Sequence, residues 1–187
     1  MRIISGRFAR QKLRAPSGHL TRPTTDRARE AIFNLLGSRI FLDDITVLDL
    51  FAGTGALGLE AISRGAAHVI FVENSGRVLH YARENAESLG VEDQCVFVRS
   101  DAVSYLENYS GPPFDVIFAD PPYELEAMER MPDLALEHLK SPYGIFSLEH
   151  DTRIWFDDHP NLETHRSYGR TTVSLFRPTA YFEQMEE

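Results

Sequence analysis

The stretch "TVLDLFAGTGALGLEAISRGAAHVIFVE", residues 46–73, contains the pattern that decides the fold. Two short apolar runs, 46–51 and 68–73, flank a glycine-rich loop and a segment whose apolar residues recur three and four positions apart. Apolar runs without polar alternation are typical of strands buried on both faces. Apolar residues three and four positions apart, as in the segment between the two runs, are typical of a helix. The stretch therefore predicts a strand–helix–strand unit with two parallel strands.

The same alternation continues along the chain. By the same criteria, further strands are predicted at 94–98, 114–120 and 144–150, and further helices at 75–90, 101–109 and 124–140. Three shorter alternating runs, at 153–158, 162–169 and 171–178, are consistent with an antiparallel addition. We predict an α/β domain with a mostly parallel, doubly wound sheet, whose ligands bind at the carboxyl ends of the strands.

Two elements precede this pattern. Residues 2–5 and 12–16 predict a short hairpin around Gly6. The segment "TTDRAREAIFNLLG", residues 24–37, predicts a helix, because Thr25 or Asp26 can cap it, its apolar residues have helical spacing, and Gly37 can end it.

Composition limits the class of protein. A chain of 187 residues with 43% hydrophobic residues can form one well-buried domain. Its single cysteine, Cys95, has no disulfide partner and lies in an apolar run, which favours a buried core thiol. The amino terminus lacks the apolar core of a signal peptide, and no run approaches the ~18 apolar residues of a membrane span. We expect a soluble cytoplasmic protein with no membrane partner.

The net charge of −9 is distributed unevenly. Residues 1–30 hold eight Lys and Arg against two acids, a net charge of +6. The remaining 157 residues hold 11 basic and 26 acidic residues, a net charge of −15. A basic arm on an acidic body predicts local contacts with phosphate groups, although an ordinary solvated basic tail is the alternative.

A glycine motif follows the first strand. Gly53, Gly55 and Gly58 have G-x-G-x-x-G spacing between a strand and a helix, where glycine lets the backbone approach a ligand. Glu73 ends the next strand 20 positions after Gly53, where an acid can accept hydrogen bonds from a ribose diol. The motif alone has low specificity, and its combination with Glu73 indicates a nucleotide-like cofactor.

Two cofactors compete for this site. A dinucleotide would place its pyrophosphate on the glycines, whereas S-adenosylmethionine would place its cationic methionine part there. Asp49 lies beside the loop, where a carboxylate would repel a pyrophosphate and attract an ammonium group. Asp101 and Asp120 follow the third and fourth strands. Each acid alone could be a loop carboxylate or a helix cap, but four acids at four consecutive strand ends favour the sulfonium cofactor.

The fourth strand ends in "DPPY", residues 120–123. Two prolines fix two φ angles and remove two donors, so this loop presents a carboxylate, rigid carbonyls and an aromatic ring together. If Asp120 and the Pro121 carbonyl each accept a hydrogen bond from an exocyclic amino group, the nitrogen is oriented towards a methyl donor. Tyr123 can stack on the base, which must be flipped out or single-stranded. The mechanism requires no metal.

The motifs "DLFAGTGALGLEAISRGA", "VEN", "DPPY" and "RPTTDRAREAIFNLL", together with "LEH" and "SYGRTTV", cover nearly the whole chain. In them the chain resembles the bacterial 16S rRNA guanine-N2 methyltransferases of the RsmD type. The resemblance implies a Rossmann-like, seven-stranded class I S-adenosylmethionine-dependent fold. It also implies a basic extension over 1–24, a catalytic domain over 25–187, and methylation of a guanine N2 in 16S rRNA of the small ribosomal subunit or its assembly intermediate.

The resemblance also assigns roles to individual residues. It implies cofactor binding by Asp49, Phe51, Gly53, Gly55, Glu73, Asp101 and Ala102, and a catalytic loop of Asp120, Pro121, Pro122 and Tyr123. RNA contacts are expected from Arg7, Arg10, Lys12, Arg14, Arg22 and Thr24. Of these, Arg22 and Thr24 would lie beside the active site, together with Pro23. Two other functions stay open: a DNA adenine-N6 or cytosine-N4 methyltransferase, for whose recognition insertion 187 residues leave little room, and a non-catalytic RNA-binding assembly factor.

Overall fold

The computed structural model describes residues 1–16 and 26–186. Seven strands form one sheet: β1 Thr46–Leu50, β2 His68–Glu73, β3 Cys95–Arg99, β4 Val116–Ala119, β5 Ile145–Asp151, β6 Leu162–Tyr168 and β7 Thr171–Phe176. The described residues form six α-helices: α1 Asp26–Gly37, α2 Ala56–Ser63, α3 Gly76–Leu89, α4 Ala102–Asn108, α5 Met131–Leu136 and α6 Thr179–Glu186. None of these helices is long and apolar enough to cross a membrane.

The sheet order is β3-β2-β1-β4-β5-β7-β6. Strands β1 to β5 are parallel, while β7 is antiparallel to β5 and β6 is antiparallel to β7. This confirms the mostly parallel, doubly wound sheet with an antiparallel addition. The chain order reverses between β1 and β4, which are neighbours, so ligands are expected where the carboxyl ends of these two strands diverge.

Helices cover both faces of the sheet. Buried side chains of α1, α2 and α3 pack in one core with Val47, Phe71 and Phe118. Those of α4 and α5 pack in a second core with Ile117 and Phe146. All eight residues of α2 are buried, because the N-terminal segment covers the side of this helix that faces away from the sheet.

The predicted hairpin at the N-terminus is present as a single antiparallel bridge between Arg2 and Lys12. Its apolar residues Ile3 and Leu13 belong to the core, 1% and 6% exposed. The buried carboxylate of Glu60 in α2 accepts hydrogen bonds from the backbone of residues 4 and 5 at 2.7 and 3.0 Å. Residues 1–16 are therefore fixed to the domain and are not a free basic tail.

Several predicted elements differ from those observed. The helix predicted over 124–140 is a 3₁₀ turn at Met128–Arg130 followed by the short α5. Pro132 stands in the first turn of α5, where a missing N–H is tolerated, whereas inside a long helix it would remove a hydrogen bond. Residues 153–158 form no strand, and α6 was not predicted. The predicted cap Thr25 lies outside the described residues.

Candidate active site

The glycine loop connects β1 to α2 at the carboxyl edge of the sheet. Phe51, Gly53 and Gly55 have φ angles of 56°, 56° and 82°, in the left-handed region that favours glycine. A Cβ built on Gly53 meets only the Phe51 carbonyl oxygen, at 3.9 Å, so the outer side of the loop is open to a ligand. A Cβ on Gly58 would lie 2.3 Å from the Phe71 ring, so Gly58 serves the packing of α2 on the sheet.

Asp49 is buried beneath this loop, 1% exposed. Its Oδ2 accepts a hydrogen bond of 2.9 Å from the backbone N–H of Gly58. Burial, and then the nearby negative charges of Asp120 and Glu73, raise the pKa of Asp49 well above that of an ordinary carboxyl group, against the effect of the Gly58 hydrogen bond. The three acids therefore converge, and their mutual repulsion favours a cationic ligand over a phosphate.

Glu73, at the end of β2, holds the glycine loop in place. Its Oε2 accepts from Gly53 N–H at 3.1 Å, and its Oε1 accepts from Ser75 N–H at 2.7 Å. A carboxylate oxygen can accept more than one hydrogen bond, so both oxygens can also receive hydroxyl donors from a ligand. Glu73 thus links the loop after β1 to the end of β2.

Asp101 follows β3 and caps α4. Its Oδ1 accepts a hydrogen bond of 2.8 Å from Ser104 N–H, so the helix-cap alternative is present in the structure. The residue is exposed at the same edge as Glu73, and Ala102 begins α4 beside it. The cap role and a ligand role are compatible, because a carboxylate keeps further acceptor sites after one capping bond.

The 120–123 loop directly follows β4, the neighbour of β1. Pro121 is buried and Pro122 is exposed. The Pro122 carbonyl accepts a hydrogen bond of 3.0 Å from Leu125 N–H, which closes the turn after the prolines. The Tyr123 hydroxyl lies 2.7 Å from Oγ1 of Thr171, the first residue of β7, so its ring is anchored at both ends.

The basic residues of the N-terminal segment do not all lie near this site. The Arg7 guanidinium donates to the side chain of Gln94, which precedes β3 and so lies at the amino edge of the sheet. Arg10, at a φ of 72°, is an exposed residue of the same turn. Lys12 is exposed beside the Arg2 bridge. Arg7 is therefore placed away from the edge that carries the three acids.

Arg14 lies closer to the glycine loop, through a residue that sequence reasoning missed. Asn85 of α3 is fully buried, and its side chain bonds both the N–H and the carbonyl of Arg14, at 2.7 and 3.0 Å. The same Asn85 amide donates to the carbonyl of Thr54, in the glycine loop, at 3.0 Å. A polar residue on the apolar stripe of α3, beside Ala82 and Ala86, was the available signal.

Arg22 and Thr24, as well as Pro23, lie outside the described residues. The direction of α1, the helix that follows them, relative to the sheet is set by a contact at its far end. Arg39, just beyond the end of α1, pairs at 2.8 Å with Glu163 near the start of β6, which runs in the same direction as β5. The end of α1 is therefore at the amino edge of the sheet, and its start at Asp26 is at the carboxyl edge.

Cys95 and His150 have bonded partners within the fold. The Cys95 thiol donates to the Val91 carbonyl at 3.2 Å, and burial, with the charge of Glu92, raises its pKa to about 12. His150 is buried and contacts the Ser174 hydroxyl at 2.8 Å, and burial lowers its pKa. Within residues 1–16 and 26–186, no group of three or more His, Cys, Asp or Glu side chains could hold a metal ion.

The sheet order and the glycine loop define the class of protein, the Rossmann-like class I S-adenosylmethionine-dependent methyltransferases. Comparison with known proteins identifies the family. The family model described as Conserved hypothetical protein 95 matches residues 1–177, and the chain belongs to this family.

Similar proteins cover most of the chain. YlbH of Bacillus subtilis, named as a candidate rRNA methyltransferase, is 34% identical over 185 residues, 95% of this chain and 98% of that protein. Ribosomal RNA small subunit methyltransferase D of Escherichia coli is 41% identical over 129 residues, 69% of this chain and 63% of that protein. The solved structure of yhhF from Escherichia coli, described as a candidate methyltransferase, has a TM-score of 0.83 at 32% identity and covers 96% of this chain and 98% of that one. The resemblance to the RsmD type is confirmed.

Proposed function

We propose that the protein transfers a methyl group from S-adenosylmethionine to the exocyclic N2 amino group of a guanine in 16S rRNA of the small ribosomal subunit. The observation that carries the proposal is the convergence of Asp49, Glu73 and Asp120 beside an open glycine loop at the switch point of the sheet. The names of the relatives support an RNA substrate and the small-subunit context. The choice of guanine N2 rests on the resemblance of the motifs.

The residues present fit S-adenosylmethionine. The open side of Gly53 can receive the methionine part, whose ammonium group Asp49 attracts. Gly55, where a Cβ would lie 3.2 Å from Ala82, shapes the left-handed turn of the loop into α2, and Phe51 belongs to the same loop. Glu73 can accept from the ribose hydroxyls. The Asp101 carboxylate and the Ala102 N–H, in the first turn of α4, can bond the adenine, because first-turn N–H groups lack partners within the helix.

The catalytic loop acts by placement. When bound, S-adenosylmethionine supplies an electrophilic methyl group on its sulfonium. Asp120 and the Pro121 carbonyl each accept one N–H bond from the guanine amino group, which orients the nitrogen lone pair towards that methyl group. Pro121 is buried, and the bond from Leu125 N–H to the next carbonyl, that of Pro122, closes the turn that follows it, so the loop that carries the Pro121 carbonyl is held in position. After transfer, the amino group loses a proton to Asp120 or to water.

Tyr123 provides a stacking face for the flipped base. Its ring is held by the hydroxyl contact to Thr171, so stacking requires little further loss of side-chain freedom. We also propose that residues 1–24 act as a basic extension of the catalytic domain over 25–187. Of its described basic residues, Arg14 and Lys12 suit RNA contacts near the site best, and Arg7 and Arg10 suit contacts further away. For Arg22 and Thr24 the proposal rests on the resemblance of the motifs.

Labelled S-adenosylmethionine tests the function directly. The protein is incubated with small ribosomal subunits, protein-free 16S rRNA or DNA, and the label is then located by nuclease digestion and nucleoside analysis. Labelled N2-methylguanosine in 16S rRNA is the expected product. Label in DNA alone would establish the DNA methyltransferase alternative, and the absence of label from every substrate would establish a non-catalytic factor.

The role of Asp120 has its own test. Asp120→Ala should lower kcat by about 10²- to 10³-fold, because it removes an acceptor that orients the nucleophile, while cofactor affinity stays near that of the wild type. Asp133→Ala, at a side chain 78% exposed, is the matched control and should leave kcat unchanged. Turnover of Asp120→Ala within a few-fold of the wild type would remove Asp120 from this role.

A further inference from the structure

A second group of basic side chains lies on the side of the site opposite the N-terminal segment. Arg153 follows the end of β5, and Arg170 occupies the turn between β6 and β7. We refer to these two residues as the rim arginines. Their side chains are 77% and 80% exposed. Arg14 is bonded to α3, which packs on β2 and β3. Because β1 and β4 lie between those two strands and the β6–β7 hairpin in the sheet order, the rim arginines and Arg14 flank the candidate site from two sides.

One buried carboxylate organises the rim arginines. Asp151, 2% exposed, accepts from Arg153 Nε at 2.8 Å, from Arg153 Nη2 at 3.0 Å and from the Arg153 backbone N–H at 2.9 Å. The side-chain and backbone hydrogen bonds from Arg153 and its charge, together with the charge of Arg170, lower the pKa of Asp151 to about 2. Asp151 is therefore ionised at neutral pH, and it fixes the orientation of the Arg153 guanidinium.

Arg170 is not needed to neutralise Asp151. Its Nη2 lies 3.9 Å from Asp151 Oδ2, beyond hydrogen-bond distance, whereas Arg153 already supplies one positive charge and three bonds to the carboxylate. The Arg170 side chain is 80% exposed, and the arginine of an ion pair that faces water in this way typically contributes only about 0–1 kcal/mol to stability. The three charged groups leave a net charge of +1, on a body whose residues beyond position 30 carry −15. The net charge is thus positive at the rim and negative over the rest of the body, and an anionic ligand at the rim best explains this difference.

The rim is connected to the catalytic loop. Thr171, which contacts the Tyr123 hydroxyl at 2.7 Å, follows Arg170 directly and is the register partner of Asp151. Ala119, the last residue of β4, pairs with Leu148, so β5 continues three residues further, to Asp151. At ~3.3 Å per residue, the rim stands about 10 Å beyond the end of β4. A strand that places one base against Tyr123 would meet the rim with its neighbouring backbone.

We propose that the rim arginines bind backbone phosphates of the RNA strand next to the base that enters the site. The inference rests on the proposed function and adds to it a second RNA-contact surface, separate from the basic N-terminal segment. Arginine suits this role because its planar guanidinium can donate two parallel hydrogen bonds to a phosphate. The contact carries no base specificity and sets the position of the strand.

The salt dependence of RNA binding tests the proposal. The dissociation constant for protein-free 16S rRNA is measured over a series of NaCl concentrations for the wild type, Arg170→Gln and the double variant Arg153→Gln/Arg170→Gln. Loss of two phosphate contacts should reduce the slope of log K against log salt by about 1.4 to 1.8, and loss of one by about half as much. The Arg153→Lys/Arg170→Lys variant keeps both charges and should retain most of the slope.

Two controls isolate the rim. Arg130→Gln removes another exposed arginine, 63% exposed and 3.0 Å from Glu107, and should leave the slope unchanged. The dissociation constant for S-adenosylmethionine and the thermal midpoint of Arg170→Gln should match those of the wild type, because its side chain makes no close bond to Asp151.

The outcomes separate this inference from the proposed function. If wild-type protein methylates rRNA and both Gln variants keep its salt slope, the rim arginines do not contact RNA and only this inference falls. A binding loss seen with small subunits but not with protein-free rRNA would show that the rim binds a protein, and would overturn the inference as well. A wild type that binds no RNA would refute the proposed function and this inference together.

Discussion

The substitution Asp49→Asn separates the stability of the free protein from its affinity for the cofactor. Asp49 is 1% exposed, and burial together with the charges of Asp120 and Glu73 raises its pKa. Asparagine has nearly the same shape and can offer its amide oxygen to the Gly58 N–H, which now bonds Asp49 Oδ2 at 2.9 Å. The substitution therefore removes the negative charge and little else.

The affinity should fall. A hydrogen bond between a carboxylate and an ammonium group contributes about 1.5–3 kcal/mol, so the dissociation constant for S-adenosylmethionine should rise roughly 10- to 150-fold. S-adenosylhomocysteine has the same α-ammonium group and no sulfonium charge. If Asp49 binds the ammonium group, both ligands should lose affinity by a similar factor in isothermal titration calorimetry.

The stability of the free protein should change in the opposite direction. The pKa of Asp49 is higher in the folded protein than in the unfolded chain, so its contribution to stability is fully present below the unfolded pKa and is lost as the pH rises through the folded pKa. Above the unfolded pKa, and so at neutral pH, the raised pKa of Asp49 therefore costs stability, and Asp49→Asn should unfold at a higher urea concentration. The cationic ligand binds the ionised form of Asp49. As the pH is lowered, the affinity of the wild type should therefore begin to weaken at a higher pH than it would with an ordinary carboxyl group. The affinity of Asp49→Asn should show no such decrease.

Asp115 provides a control with the opposite sign. Burial raises its pKa, but hydrogen bonds from Lys140 and Thr46, with the charge of Lys140, exceed this effect and lower the pKa below its usual value. Asp115→Asn should therefore reduce stability at neutral pH and leave cofactor affinity unchanged. Wild-type affinity in Asp49→Asn, or a loss of affinity only together with a loss of stability, would refute the role of Asp49 in binding a cation.

Two further predictions concern packing around the glycine loop, and both are measured as the free energy of unfolding in urea. Asn85→Leu should lose about 2–4 kcal/mol, because a fully buried side chain loses three hydrogen bonds, whereas Asn108→Leu, which removes one exposed bond, should lose less than about 0.5 kcal/mol. A loss under 1 kcal/mol for Asn85→Leu would contradict this account. Gly58→Ala should lose about 1–3 kcal/mol, since its Cβ would lie 2.3 Å from the Phe71 ring. Gly37→Ala, with no atom within 4 Å, should be neutral, and equal losses at both glycines would exclude the clash as the cause.

Features set by local periodicity were predictable from the sequence. The five parallel strands have continuously apolar runs, and a parallel sheet requires their carboxyl ends to share one edge, so the positions of Asp49, Glu73, Asp101 and Asp120 followed directly. Local pattern failed at 124–140, where the spacing suits a long helix and Pro132 confines the helix to its carboxyl part. Here a single backbone constraint outweighed the apolar spacing.

Features set by contacts between distant residues were not predictable. Asn85 bonds Arg14 across 71 positions, and Tyr123 contacts Thr171 across 48. No period or motif in one sequence indicates such pairs, since each depends on how the chain returns after the sheet has formed. For the same reason, the charge pattern of the sequence predicted one role for all basic residues of the N-terminal arm, whereas the structure places Arg7 and Arg14 at different edges of the sheet.

These distant contacts connect the two RNA-facing regions to different parts of the site. Arg14 is bonded through Asn85 to Thr54 in the glycine loop, and the rim arginines are connected through Thr171 to Tyr123 in the catalytic loop. RNA bound at Arg14 would thereby favour the loop conformation that binds the cofactor, and RNA on the rim would favour the position of the stacking ring. Cofactor and RNA binding should then be mutually favourable, because any such coupling is reciprocal. Asn85→Leu should weaken this coupling and leave the rim contribution to the salt slope intact, whereas Arg170→Gln should do the reverse.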